Sequence, residues 1–382
     1  MRVSLRAIFA VAAAGIPVSL ASVAAGPAAA AAHPAGAARP AVTSFSTAGG
    51  LAGVAAASRS NAWAVGFTGN GLTDKLLMLH WNGRGWSRVT SPKVLTGAGQ
   101  LSAVTVVSAK DAWAVGSTGG GLHPHTLILH WNGRAWNAVT SPAPVVNGSL
   151  TAVTANARGG WAVGSHSTGP TVPQTSPVIF RLTGTKWARV DPKFGADSGV
   201  VLDGVATTSA GTTFASGLYT GMISGVLARW SGKSWGWVKS FPEQGTYHWL
   251  NAIAAGPRGT AFTLGPNTAS AKGGVISIRW TGHAWVRAPA PAPASADPDT
   301  VAFAPGGTGW AAGSTFSGSS THPLILRWNG RAWARVASPA RVAELNGLGF
   351  ATARYGWAVG RTTPASGKTR TLILHWNGRS WG

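Results

Sequence analysis

The chain has 382 residues, with 31 Lys and Arg against nine Asp and Glu, a formal charge of +22 at pH 7 and no cysteine. The missing cysteine excludes disulfides, thiolate metal sites and a lipid-bearing Cys, and 20 Trp in a sparsely charged chain exclude a disordered polyelectrolyte, which would be poor in aromatics. A field of this sign attracts polyanions and repels basic partners.

Residues 1–32 read as a Sec-type signal peptide. Arg2 and Arg6 form a basic start, Ala7 to Ala25 an apolar run broken by Gly15 and Pro17, and Ala28 to Ala32 offer two small-residue cleavage patterns. A membrane anchor is the alternative, and the short, Ala-rich run speaks against it. No later stretch reaches the 18 or so apolar residues that a spanning helix needs. The expectation is an exported, extracellular protein, possible wall association included, whose charge becomes +20 once Arg2 and Arg6 are removed. Residues 33–40 read as a linker and 41–382 as one domain.

That domain repeats. Units fall at about 50–99, 100–149, 150–200, 201–248, 249–297, 298–343 and 344–382, the last completed by 41–46. Unit two shows the order: a short strand from Leu101 to Val104, a second from Ala112 to Gly116, a third from Thr126 to Trp131, and a fourth from Trp136 to Thr140. The second-strand aromatic recurs as Trp63, Trp113, Trp161, Phe214, Phe262, Trp310 and Trp357, 47 to 53 residues apart. Four strand signals at this period predict an all-β fold, a seven-bladed β-propeller of four-stranded antiparallel blades. Along the second strand, Trp113 and Val115 face one way and Ala112 and Ala114 the other. A large face on one blade then meets a small face on the next. Eighteen of the 20 Trp sit on three repeat positions and read as core; Trp237 and Trp249 do not.

Two glycines recur in every unit. Gly66, Gly116, Gly164, Gly217, Gly265, Gly313 and Gly360 are expected to end the second strand. Gly83, Gly133, Gly184, Gly232, Gly282, Gly330 and Gly378 lie in the third turn. Where that turn is Asn-Gly, a type I′ hairpin is expected, with positive φ at both residues; Thr-Gly or Ser-Gly suggests a type I turn with a Gly bulge. The last unit stops at Gly382 as its fourth strand begins, and Ala41 to Ser44 matches Ala138 to Ser141. Residues 41–45 are therefore expected to close the seventh blade as its outer strand.

The pair Trp-Ala-Val-Gly and His-Trp-Asn-Gly-Arg-x-Trp, as in Trp113 to Gly116 and His130 to Trp136, resembles a repeat family of secreted actinobacterial β-propellers. It is also similar to photosystem II assembly-factor-like and BNR/sialidase-type propellers. The resemblance covers residues 41–382 and implies a propeller; the assembly-factor likeness implies binding rather than catalysis. Sialidase chemistry is not implied. The Asp-box is absent, Ser108 to Trp113 lacking its glycine spacing, and the three Tyr (Tyr219, Tyr247, Tyr355) show no neighbouring acid in sequence.

Nor does the sequence show other catalytic signatures. The acids Asp74, Asp111, Asp191, Asp197, Asp203, Glu243, Asp297, Asp299 and Glu344 are read as scattered, none recurring by unit, whereas glycoside hydrolysis needs a pair. Asp191, Asp197 and Asp203 share one linker that reads as a solvated loop. His80, His130 and His375 alternate with Arg181, Arg229, Arg279 and Arg327 in one slot, which therefore suits a cationic or hydrogen-bonding group rather than a metal ligand. His123, His125 and His166 fall in loops. No nucleophile elbow, phosphate loop or dinucleotide motif appears. No catalytic residue, metal or cofactor is expected.

Alternating strand direction sorts the loops onto two faces. The short-turn face collects Arg59, Arg84, Lys110, Arg134, Arg158, Lys186, Lys233, Arg258, Arg331, Arg354 and Arg379, opposed there by Asp111. This basic ring reads either as a dock for anionic cell-wall polymer or glycan, or as a solvated turn face. Nucleic acid is not expected, since no base-reading module is seen. On the long-loop face, Arg287 to Asp299 reads as an extended Pro-Ala connector. The departure from the repeat is Trp237, Phe241, Glu243, Tyr247, His248 and Trp249, readable as a sugar or peptide contact or as a loop packed over the blade gap. The resulting expectation is a non-catalytic binding or scaffold propeller with a polymer, glycan or protein partner. The alternative is a polysaccharide hydrolase or lyase with its site at the axial channel mouth.

Overall fold

The computed structural model describes residues 45–382, apart from 70–72, 93–94, 96, 120–122, 143–144, 146, 168–174, 193, 195–198, 222–223, 239–240, 242–247, 268–272 and 363–367. The signal-peptide, linker and 41–44 readings lie outside the described residues. Seven antiparallel sheets follow one another along the chain. Blade one consists of Gly50–Ser58, Asn61–Thr68, Lys75–Trp81 and Trp86–Arg88, and blade two of Gly99–Ser108, Asp111–Thr118, His125–Trp131 and Trp136–Val139. The first strands of the remaining blades are Gly148–Asn156, Val200–Thr207, Ala252–Ala255, Ala296–Phe303 and Ala343–Thr352. These first strands touch in sequence and the first touches the last, so the ring closes. The fold is a seven-bladed β-propeller. Among the described residues no helix is long and apolar enough to cross a membrane.

The two-faced second strand sets the packing. Trp63 and Val65 join one apolar cluster with Ala112 and Ala114 of blade two. Ala62 and Ala64 join another with Trp357 and Val359 of blade seven. Large meets small at each interface, as the alternation requires. A second relationship recurs at all seven interfaces: the fourth-strand Trp of one blade stands edge-on to the second-strand aromatic of the preceding blade. The pairs are Trp63–Trp136, Trp113–Trp187, Trp161–Trp235, Phe214–Trp285, Phe262–Trp333, Trp310–Trp381 and Trp357–Trp86, with centroids 5.1–5.9 Å apart and planes at 74–88°. Such pairs add about 0.5–1.5 kcal/mol each beyond the area they bury. The indole N–H of every one of these fourth-strand Trp except Trp333 lacks a hydrogen-bond acceptor.

The first glycine series lies inside the second strand, not at its end: Gly66 falls within Asn61–Thr68 and Gly116 within Asp111–Thr118. In every blade but the fifth, the first strand carries one extra residue opposite this glycine, a β-bulge. The bulge drives a carbonyl into the place of a side chain. A Cβ at Gly116 would lie 2.1 Å from the Gln100 oxygen and one at Gly313 2.1 Å from the Asp297 oxygen. The third-turn glycines all have positive φ, but the preceding Asn residues do not. The expected type I′ turn is therefore replaced by a four-residue loop in which the Asn side chain acts as a cap. Asn132 Oδ1 accepts from the N–H groups of Arg134 and Ala135, both at 3.0 Å. Ser231 Oγ takes the same role at Ser234 and Thr281 Oγ1 at Ala284, at 3.0 and 3.2 Å. A short side-chain oxygen, rather than tolerance of positive φ, is what this position selects.

Ring closure uses both ends of the chain. Trp381 bridges Trp376, and His375 and Gly382 exchange two backbone hydrogen bonds. At the other end of the same third strand, Thr371 N–H donates to Thr47 O at 2.9 Å, Ala48 bridges Arg370, and Gly49 N–H donates to Thr369 O at 3.1 Å. The Gly49 bond copies those made by Gly99 to Asp74 and Gly148 to Pro124 between consecutive blades, at 2.7 and 3.0 Å. The chain thus enters blade one from blade seven by the connection used elsewhere inside the ring.

Candidate functional sites

All eleven residues of the basic ring are exposed. The two families of short turns pack on one another: a Cβ at Gly133 would sit 3.0 Å from Lys110 Cβ, and one at Gly378 would sit 2.8 Å from Arg354 Cβ. Trp81 Nε1 donates to Arg59 O at 2.8 Å, hooking the first turn to the end of the third strand. Asp111 is engaged with His130, Nε2 to Oδ1 2.9 Å. Tyr355 lies on this face beneath Arg59, whose guanidinium is 5.7 Å from the ring. Burial pushes the Tyr355 hydroxyl pKa up, and the charge of Arg59 partly opposes that.

The shared His/Arg slot is structural. His130 stacks on Trp113 at 4.0 Å. Arg181 lies 5.5 Å from both Trp161 and Trp230, and Arg229 sits between Phe214 and Trp280. A planar group, imidazole or guanidinium, lying against the aromatic layer is what the slot holds.

The off-template aromatics separate. Trp237 is 37% exposed on the outermost strand of blade four and stacks on Phe194 at 3.8 Å. Phe241 is 8% exposed and belongs to the core cluster of blades four and five. His248 is 0% exposed, bridging Asn267 and abutting Gly225. Trp249 is half-buried where the chain enters the first strand of blade five. Glu243 and Tyr247 lie outside the described residues. The four described residues do not form one patch, because Phe241 and His248 are buried in the core while Trp237 is exposed on the outermost strand.

The bulges create a site that the sequence reading passed over. An axial channel of about 190 Å³ is lined by three consecutive residues from each blade, all on its first strand except Asn251, which immediately precedes Ala252–Ala255. Its upper level, nearest the long-loop face, is Ala52, Ser102, Thr151, Asp203, Asn251, Asp299 and Asn346. The next is Gly53, Ala103, Ala152, Gly204, Ala252, Thr300 and Gly347. The third is aliphatic, from Val54 round to Leu348. Polar side chains at the upper level tie blade to blade. Thr151 Oγ1 bonds Leu202 O at 2.6 Å, Asn251 Nδ2 donates to Pro298 O at 3.2 Å and Asp297 Oδ1 at 3.0 Å, and Asn346 Nδ2 donates to Leu51 O at 3.1 Å. Just above, Glu344 pairs with Arg361.

Two readings are corrected here. Asp203 is not in a linker with Asp191 and Asp197: it sits in the first strand of blade four, while Asp191 pairs with Arg189 at 2.8 Å and Asp197 lies outside the described residues. The Pro-Ala connector ends sooner than expected, so Asp297 and Asp299 belong to the strand Ala296–Phe303. The acids do recur. Asp203 and Asp299 both stand fourteen residues before the bulge glycine, as do Asn251 and Asn346. Fourteen residues before the second-strand glycine lies a ring residue in six of the seven units; in unit three Thr151 stands thirteen before Gly164.

Seven blades, a narrow channel and two chemically unlike faces define a propeller of the kind that serves both binding and catalytic proteins. The fold is similar to YCF48 bound to D1 peptide, at 16% identity and TM-score 0.52, covering 85% of this chain and 94% of that one. It is similar to virginiamycin B lyase from Staphylococcus aureus, at 14% and 0.57, covering 86% and 98%. It also resembles the GH74 xyloglucanase from Xanthomonas campestris, at 16% and 0.57, covering 89% of this chain and 55% of that one. No family model and no curated protein matches the sequence. These identities establish a common fold.

Proposed function

We propose that the protein is an exported, non-catalytic binding or scaffold propeller of the actinobacterial repeat type, docking its short-turn face on anionic cell-envelope polymer or glycan. The observation that carries the reading is the packing of the two turn families on each other, which gathers exposed cations from all but one of the third turns onto one side. The acid among them, Asp111, faces His130. The basic start and apolar run of residues 1–32 support export. Fixed cations on one face raise the local concentration of a polyanion and make its retention salt-dependent. The test is elution by NaCl from immobilised teichoic acid. Replacing Arg84, Arg134, Arg331 and Arg379 with Gln is expected to lower the eluting salt while leaving thermal unfolding in place; unchanged elution would overturn the reading.

Asp203 and Asp299 at the channel favour a second reading, a polysaccharide hydrolase or lyase. The channel volume weighs against it, since a site that buries a ligand of a few sugar rings takes roughly 300–1,000 Å³. Release of sugar ends from envelope polysaccharide, abolished by Asp299→Asn, would decide for the enzyme.

A further inference from the structure

We infer that the long-loop mouth of the axial channel takes one organic cation, a lysine or arginine side chain presented by a protein partner. The sign follows from the amides. Asn251 and Asn346 turn their Nδ2 groups to backbone carbonyls of the next blade, Pro298 O and Leu51 O. Asn251 spends both of its amide hydrogens, on Pro298 O and Asp297 Oδ1, and presents its oxygen; Asn346 spends one on Leu51 O and adds a second amide oxygen to the level. With the carboxylates of Asp203 and Asp299 between and beside them, blades four to seven line one side of the channel with acceptors.

A separate observation points the same way. Ser216 is 0% exposed and its hydroxyl has no hydrogen-bond partner. It lies beside two channel-lining residues: the point beside Gly204 that a Cβ would occupy is 2.8 Å from Ser216 Oγ and 3.0 Å from Ile253 N. The polar wall therefore continues behind Gly204 with a group still to be satisfied.

Size and depth choose the ligand. About 190 Å³ corresponds to roughly six waters at ~30 Å³ each, room for one extended side chain but not for a sugar chain. The aliphatic level below offers a charged end no partner, so the charge stops at the upper level. The acceptors belong to different blades, and the described residues bring no three His, Asp or Glu within reach of one metal ion. A calcium ion wants six to eight oxygens at about 2.3–2.6 Å. A guanidinium spreads five donors and can reach separated acceptors. The basic face does not cancel the attraction. The acceptor level is six residues from the far end of Gly50–Ser58, about 20 Å at ~3.3 Å per residue, beyond two Debye lengths of ~8 Å in physiological salt.

The test is calorimetric titration of the full chain with the peptide acetyl-Gly-Gly-Arg-Gly-amide and with its citrulline analogue, which keeps the shape and removes the charge. The arginine peptide is expected to bind at least tenfold tighter. The combined Asp203→Asn and Asp299→Asn variant is expected to erase that preference while retaining salt-dependent binding to teichoic acid, which separates this site from the basic face. If that variant does not fold, Asp203→Asn alone, at a half-buried position, is expected to reduce the preference. Equal binding of the two peptides, or none, overturns the inference. So does calcium chloride that raises the unfolding temperature and blocks the arginine peptide, since that marks a metal site.

Discussion

Trp86 of blade one stands edge-on to Trp357 of blade seven, centroids 5.6 Å apart and planes at 77°. The same contact joins blades that are consecutive in the chain, yet here the partners come from opposite ends of it. Trp357 is fully buried and also lies 5.8 Å from Trp81. Trp357→Ala is expected to cost about 3–5 kcal/mol through lost burial and the cavity left behind. Trp357→Phe should cost less, about 1–2 kcal/mol, because Phe214 and Phe262 already fill this position in two blades. Urea denaturation of the three proteins checks both values; a Phe variant as unstable as the Ala variant would show that the edge-to-face geometry is not what the position supplies.

Two glycines of one blade predict opposite sensitivities. A Cβ at Gly313 meets the Asp297 carbonyl oxygen at 2.1 Å and Pro298 Cα at 2.7 Å, all backbone. Gly313→Ala must flatten or shift the bulge and is expected to destabilise by about 3 kcal/mol or more. Gly330 has φ +99° and open space around it, so Gly330→Ala costs only the conformational penalty of positive φ, about 1–2 kcal/mol. Thermal unfolding of the two variants, side by side, distinguishes backbone crowding from backbone conformation.

The blade order was legible because each unit repeats its own evidence: a misread strand in one blade is corrected by six others. The Trp positions and the closing of seven blades into a ring followed from that. The reason for Gly66 and its equivalents was not legible, since a glycine looks the same whether it answers a positive φ or an intruding carbonyl. The channel ring was hidden by its chemistry. Ala52, Ser102, Thr151, Asp203, Asn251, Asp299 and Asn346 share a place and no side-chain type, so only their nearly constant distance from the second-strand glycine marks them in the sequence. Phe241 and His248 misled for the opposite reason. Their departure from the repeat was visible, but departure marks an irregular core as readily as a ligand.

The clasp at the chain ends carries a third prediction. Thr47 and Gly49 make backbone hydrogen bonds to Thr371 and Thr369, Ser46 O and Oγ accept from Arg370, and Phe45 packs on the blade-one cluster. Removing residues 33–48 takes away the Thr47 bond and bares an edge of the seventh blade. At about 1 kcal/mol for each backbone bond and a few degrees per kcal/mol in a chain this long, the melting temperature should fall by about 5 °C or more. Calorimetry of the truncated protein checks it, and an unchanged midpoint would mean that Trp381 and Gly382 close the ring alone.

His80 gives the last prediction, in pH. It is half-buried, its ring tilted by 36° against Trp63 at 4.4 Å, with Nε2 3.3 Å from Asn61 Oδ1, and burial lowers its pKa below the usual 6.5. The folded state therefore holds His80 neutral where the unfolded chain would bind a proton. Stability from this residue is present in full above the unfolded pKa of 6.5 and is lost as pH falls through it towards the folded value. Between about pH 7 and pH 5, the interval in which an ordinary His titrates, the melting temperature of the wild type should decline. The decline should be shallower in His80→Gln, which keeps a hydrogen-bonding group and cannot take up the proton. A Gln variant that loses stability with the same slope would assign the acid sensitivity to other histidines.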